Sequence, residues 1–162
     1  MSERYHVRLE KEQLIFSAAH FITFGDNICE RLHGHNYRLM AEVEGPLGEH
    51  QYVVDFIALR DMLQEISSEL DHHVLLPTEH PTIQVVADDQ QVEVSFEDRR
   101  WVFPPGDCIL LPVSNTTAEL LARYIGQQLL ERWEQRFQHR PQRLMIGVDE
   151  NEGQWGVWES GE

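Results

Sequence analysis

His33-Gly34-His35-Asn36-Tyr37-Arg38-Leu39-Met40-Ala41-Glu42-Val43-Glu44 sets both an element and a chemistry. Tyr37, Leu39, Ala41 and Val43 alternate with Arg38, Met40, Glu42 and Glu44, the period of a half-buried strand that stops at Gly45-Pro46. At the start of that strand the same period puts His33 and His35 on one face, and Gly34 lets backbone or ligand come close. Upstream, the alternating run from Tyr5 through Phe16 reads as a strand pair or one long bulged strand, ending at His20. A third imidazole is then within reach. Neutral imidazoles are the commonest protein ligands for zinc, and three of them leave a fourth position open for chemistry. Cys29, four residues before His33, fits either a fourth ligand of a closed site or a base or nucleophile acidified by the metal. Spacing leaves both readings open.

Two helices follow from periodicity. Asp55 is a good N-cap for Phe56, Leu59, Leu63, Ile66 and Leu70, a stripe that ends near Asp71-His72-His73. A second helix opens at Ser114-Asn115-Thr116-Thr117, runs along Leu120, Leu121, Tyr124, Ile125, Leu129 and Trp133, and fades by Arg140-Pro141. Arg143 to Asp149 and Trp155 to Trp158 read as two closing strands. The order strand, strand, helix, helix, strand, strand predicts an α+β fold, an antiparallel sheet with both helices on one face. Residues 78–113 fall outside this plan: Ile83 to Ala87, Val92 to Phe96 and Arg100 to Phe103 read as an inserted β-meander, a surface decoration or oligomer contact rather than a lid.

Composition narrows the function. At 162 residues and 41% hydrophobic, the chain is expected to form one domain, 1–162, with a sizeable core. A formal charge of -15 argues against nucleic acid as a partner. Twelve of the 13 Lys and Arg residues are Arg, suited to bidentate contact with carboxylate or phosphate, so an anionic small substrate fits. No apolar run reaches membrane-spanning length, Met1-Ser2-Glu3-Arg4 leads into no signal-like stretch, and the two cysteines, Cys29 and Cys108, make no disulfide framework. The expectation is a reduced, cytoplasmic protein without membrane attachment.

Phe16-Ser17-Ala18-Ala19-His20, Cys29-x3-His33-Gly34-His35-Asn36-Tyr37, Val54-Asp55-Phe56, Leu70-Asp71-His72, Thr117-Ala118-Glu119 and Val148-Asp149-Glu150 occur in that order. Together they resemble the 6-pyruvoyltetrahydropterin synthase and 6-carboxytetrahydropterin synthase family, over nearly the whole chain except 78–113. The resemblance implies the tunnelling fold (T-fold), zinc held by His20, His33 and His35, and Cys29 as catalytic base. It implies that Asp71 orients His72 for proton relay, that Glu150 anchors a pterin by two parallel hydrogen bonds, and that Thr117 and Glu119 line the same pocket. The residues themselves also allow Asp71-His72 as a helix C-terminal cap and Thr117 with Glu119 as a capping pair.

The same resemblance implies 7,8-dihydroneopterin triphosphate as substrate and loss of triphosphate. The expected product is 6-carboxy-5,6,7,8-tetrahydropterin, of queuosine biosynthesis. A 6-pyruvoyl product of tetrahydrobiopterin synthesis is the alternative, and a homohexamer of two stacked trimers is the implied assembly. A non-catalytic zinc- and pterin-binding relative would need the histidines but not Cys29, Asp71 and His72, whose joint presence points to a lyase. Asn151 departs from the threonine common after the anchoring glutamate. Arg31, Arg38 and Arg60 are near the relevant blocks without an assigned phosphate role.

Overall fold

The computed structural model describes residues 3–161; Met1, Ser2 and Glu162 lie outside it, so of the Met1-Ser2-Glu3-Arg4 start only the last two residues are described. In chain order the elements are β1 (Tyr5–His20), β2 (Thr23–Phe24), β3 (Ile28–Cys29), β4 (His33–Gly45), α1 (Phe56–Leu70), β5 (His73–Pro77), β6 (Gln84–Ala87), β7 (Val92–Phe96), β8 (Arg99–Phe103), β9 (Cys108–Leu111), α2 (Ala118–Phe137), β10 (Arg143–Asp149) and β11 (Trp155–Gly161). None of the described helices is long and apolar enough to cross a membrane.

β1 is the single bulged strand: its antiparallel register with β4 slips between Glu10 and Ile15, then runs without a break from Ile15–Arg38 to His20–His33. After the bulge Phe16, Ala18 and His20 face the core while Ser17 and Ala19 face away, so the slip sets which residues share the histidines' face. Gly34 sits opposite Ala19, where an added Cβ would come 3.3 Å from the Ala18 carbonyl oxygen, the close approach expected of it.

The main sheet has the order β11-β10-β4-β1-β5-β9. Its first four strands are antiparallel as the sequence predicts, but β5 joins β1 and β9 joins β5 in parallel, making a mixed sheet. Cys108–Leu111 therefore belongs to the main sheet rather than to the insertion, and the strand at His73–Pro77 was not foreseen at all. The remaining meander is a three-stranded sheet, β6-β7-β8, antiparallel throughout.

Both helices cover one face. Asp55 caps α1 by accepting from the Ile57 N–H at 2.8 Å, and Leu59, Met62, Leu63, Ile66 and Leu70 are buried at spacings of three and four. α2 buries Leu121, Ile125, Leu129 and Trp133 in the same core. Gly156 lets β11 cross the start of α2: an added Cβ would meet the Ala118 carbonyl carbon at 2.4 Å and the Glu119 nitrogen at 2.5 Å. Backbone cannot yield as a flexible side chain can. Gly156→Ala is expected to lower stability by about 1–3 kcal/mol, measured by urea unfolding.

A second, smaller core joins Phe21, Leu76, Ile83, Val92, Val94 and Phe96, with Cys29 and Trp101 packed at its edge. The meander is thus built against the segment that carries Cys29, not free on the surface.

Candidate active site

His20, His33 and His35 share the helix-facing side of β1 and β4, at the end of the strands. His20 is fully buried, with 0% exposure, and burial lowers its pKa to about 4, so the imidazole is neutral. Its Nδ1–H donates to the Thr116 carbonyl at 2.8 Å, and the Nδ1–H of His33 donates to the Arg31 carbonyl at 2.8 Å. Carbonyl oxygens only accept, so Nδ1 carries a proton in both rings, and Nε2 is the nitrogen whose lone pair the neutral form would offer to a metal. The Thr116 carbonyl, just before α2, therefore helps to orient the first histidine.

The Nε2 atoms of His20 and His35 are buried without a hydrogen-bond partner. Orphaned buried acceptors are costly and need an explanation. Glu150 does not satisfy them: its Oε1 lies 3.4 Å from His20 Nε2 and 3.1 Å from His35 Nε2, acceptor facing acceptor, an arrangement that a cation held between them would relieve. One ligand atom from each of His20, His33, His35 and Glu150 falls within 4.8 Å of the others, so the four could hold a metal ion. Three neutral imidazoles and a carboxylate are a suitable donor set. The sequence singled out all four, but it set Glu150 apart from the histidines.

Glu150 follows a locked position. Asp149 is fully buried and pairs with Arg38, and its carboxylate also accepts from the Gly153 and Gln154 N–H groups at 3.1 Å. Burial raises the Asp149 pKa, and these donors more than offset it, holding the carboxyl below its ordinary value. The turn between β10 and β11, and with it the Glu150 backbone, is fixed by this knot. Arg38 is thereby engaged, as Arg60 is with Asp61 at 2.6 Å. Thr117 is the N-cap of α2, accepting from the Leu120 N–H at 3.4 Å, and Glu119 lies exposed in the first turn. Both occupy the capping positions that the sequence allowed.

Cys29 is half-buried, and its thiol donates to the Glu30 carbonyl at 3.5 Å. Burial raises its pKa, while the nearby Arg99 pulls it down. Glu30, unassigned from sequence, accepts from the Ile22 N–H at 3.2 Å and places Oε2 3.8 Å from His33 Nε2. Cys108 is buried in the small core with its pKa raised to about 11 by burial, which marks an inert thiol.

Asp71 and His72 do pair, with Nδ1 of His72 2.7 Å from Oδ2 of Asp71. Asp71 ends α1 through its backbone, but its side chain crosses to β1 and accepts from the Ser17 N–H at 2.7 Å, which with the His72 bond holds its pKa down. His72 takes the left-handed conformation, φ 60°, where glycine is usual, and its N–H donates to the Ser17 carbonyl at 2.6 Å. With Ser17, Gly34, Asn36 and also His35 it lines a cavity of about 430 Å³. His72 and His35 border this cavity together, but Asp71 and His72 are not among the four groups whose ligand atoms converge.

The 6-pyruvoyl tetrahydropterin synthase family model matches residues 9–160. The chain belongs to this family. A Methanocaldococcus jannaschii protein named a putative 6-carboxy-5,6,7,8-tetrahydropterin synthase is 36% identical over 120 residues, 74% of this chain and 73% of that one. A Haemophilus influenzae 6-carboxy-5,6,7,8-tetrahydropterin synthase is 24% identical over 127 residues, 73% and 79% of the two chains. Among solved structures, a catalytic-residue variant of Plasmodium vivax 6-pyruvoyltetrahydropterin synthase, glutamate replaced by alanine, superimposes with a TM-score of 0.91 at 26% identity, covering 99% of this chain and 100% of that one. The Plasmodium falciparum enzyme gives 0.89 at 28% identity with the same coverage. This synthase family member therefore has the T-fold, and the match extends through the meander.

His80 joins the meander to β2 in this synthase. Its Nδ1 accepts from the Thr82 and Ile83 N–H groups at 3.0 and 2.9 Å, and Nε2 lies 2.7 Å from Thr23 Oγ1. Protonation would remove the acceptor, and burial already lowers this pKa. Because the folded pKa is below the unfolded value of about 6.5, the unfolded chain binds more protons, and stability falls as pH drops through that value. Thermal melts from pH 7.5 to 5 are expected to decline more steeply for wild type than for His80→Asn.

Proposed function

We propose that the chain is a zinc-dependent pterin synthase that converts 7,8-dihydroneopterin triphosphate, with loss of triphosphate, to 6-carboxy-5,6,7,8-tetrahydropterin in queuosine biosynthesis. One observation carries the zinc site: buried, partnerless imidazole nitrogens of His20 and His35 converge with His33 on one point. When bound there, zinc supplies Lewis-acid stabilisation of negative charge developing on the substrate side chain. Cys29 takes a side-chain proton. Glu150 holds the 2-amino-4-oxo edge of the pterin, with its backbone fixed by the Asp149 knot, and Thr117 and Glu119 border the same pocket. The carboxy product is favoured by the archaeal and bacterial relatives of that name.

Asp71 orients His72, and their place outside the set of converging ligand atoms supports a role in the site of a neighbouring subunit. A homohexamer of two trimers, with pockets between subunits, accounts for that. The whole chain, 1–162, acts as one domain, free in the cytoplasm.

A 6-pyruvoyl product is the second reading, supported by the full-length likeness to the Plasmodium synthases. In one of those a glutamate is named as catalytic, and Glu30 stands beside Cys29 here, facing His33 at 3.8 Å. Glu30 is then the alternative proton acceptor.

Release of triphosphate from 7,8-dihydroneopterin triphosphate by the zinc-loaded protein tests the reaction class, and no release overturns it. Glu150→Gln is expected to raise KM by roughly 10- to 100-fold, the loss of a charged hydrogen-bond acceptor, while zinc content stays at wild-type level. Loss of zinc with unchanged KM in the residual holoenzyme would make Glu150 a ligand instead.

A further inference from the structure

The β2–β3 hairpin that carries Cys29 has two residues in each strand, too few to keep a conformation unaided. Asn115, just before α2, holds β2 through the Thr23 N–H at 3.4 Å and carbonyl at 3.0 Å, and the remaining braces, those at the turn and at Cys29, come from the meander side. At the turn, Thr82 Oγ1 donates to Asn27 Oδ1 at 2.9 Å, and His80 reaches Thr23 as described. At the other end a single guanidinium spans two consecutive carbonyls: Arg99 Nη1 donates to the Cys29 oxygen at 2.8 Å and Nη2 to the Glu30 oxygen at 3.0 Å.

That cation is itself held flat. Arg99 Cζ lies 4.6 Å from the ring centroid of Trp101, and Trp101 stacks on Phe21 with centroids 4.7 Å apart. Phe21 follows His20 directly. The guanidinium thus links the backbone of Cys29 and Glu30 to the strand end that carries the first histidine. A lysine ammonium, a point charge without a planar fork, cannot reproduce the pair of bonds. Its donors face backbone carbonyls, so Arg99 is built into the loop rather than offered to a phosphate.

We propose that Arg99 is a positioning residue: its fork to the Cys29 and Glu30 carbonyls sets both side chains beside the histidine cluster, which makes the meander part of the reaction apparatus. This rests on the reading of Cys29 or Glu30 as the proton-transfer group. Two carbonyls fixed on one rigid plane leave the hairpin little freedom, and displacement of reacting groups by about 1 Å can lower a rate about 100-fold.

The test compares zinc-loaded wild type with Arg99→Ala, Arg99→Lys and Arg100→Ala. Arg100, next on β8, pairs with Glu93 at 2.6 Å and serves as a control for the meander's own stability. Two quantities are read: steady-state kinetics on 7,8-dihydroneopterin triphosphate, and hydrogen exchange of the Glu30 amide, which donates to the Ile22 carbonyl at 3.0 Å. Arg99→Ala is expected to lower kcat by about 10- to 100-fold with KM within twofold, and to speed Glu30 exchange. Added guanidinium at millimolar concentration should restore part of the Arg99→Ala rate, Arg99→Lys should fall between, and Arg100→Ala should match wild type.

Unchanged Glu30 exchange in Arg99→Ala overturns the proposal, whatever the activity. So does unchanged kcat, or a loss shared equally by Arg100→Ala. Faster Glu30 exchange in Arg99→Ala together with an inactive wild type would instead overturn the pterin reaction and leave the clamp standing.

Discussion

Cys29→Ala lowers kcat on 7,8-dihydroneopterin triphosphate by about 100- to 10,000-fold, the range of a positioned proton-transfer group, with zinc content and melting temperature unchanged. The expectation follows from geometry: Cys29 is half-buried at the edge of the small core, next to Glu30 and clamped by Arg99, yet is not among the four groups that could hold the metal. Single-turnover kinetics with metal analysis checks it. The same variant tests the placement of the relay. Asp71 and His72 are not among the groups that converge on the metal position, so if they serve a neighbouring subunit's site, Cys29→Ala and His72→Ala protomers, each nearly inactive, should recover activity when mixed and reassembled. Recovery means that one subunit's His72 works with another's Cys29. Continued inactivity of mixed oligomers would confine the relay to its own chain. A Cys29→Ala variant that kept a tenth or more of the rate would move the base to Glu30, and Glu30→Gln should then show the larger loss.

His35→Ala removes zinc. Second-best ligand sets bind zinc poorly, and loss of one imidazole from a site of three histidines is expected to weaken affinity by at least about 100-fold and to abolish turnover. Metal content after dialysis, with competition against a chromogenic chelator, reads the effect. His20→Ala is a weaker test because His20 is fully buried and bonded to Thr116, so its loss also opens a cavity in the fold. His35 is partly exposed, and its truncation disturbs the metal site more than the core. Full zinc retention in His35→Ala would remove the histidine cluster from the mechanism.

Periodicity and caps made much of this readable. The alternation after His35, the bulged run to His20, and the Asp55 and Thr117 caps all appear where the pattern puts them. β5 and β9 escaped because parallel pairing has no local signature: no tight turn joins the partners, and a five-residue run after a helix end reads as its tail. The histidine cluster was legible because period two dictates which side chains share a face. Glu30 and Arg99 were not, since a charged residue among other charged residues at a turn looks the same in sequence whether it faces solvent or closes on a backbone group. Only the fold of the meander onto the hairpin separates the two, and that contact spans about 70 positions. Glu150 was singled out, but its entry into the histidine cluster depends on the β10–β11 turn held by Asp149.

Mass spectrometry of the product formed by zinc-loaded wild type from 7,8-dihydroneopterin triphosphate, beside Cys29→Ala, tests the proposed reaction most directly. The proposal requires a 6-carboxy-5,6,7,8-tetrahydropterin mass with released acetaldehyde, absent from the Cys29→Ala sample. A 6-pyruvoyl product would contradict the carboxy assignment, and unchanged substrate from fully metallated wild type would contradict the reaction itself.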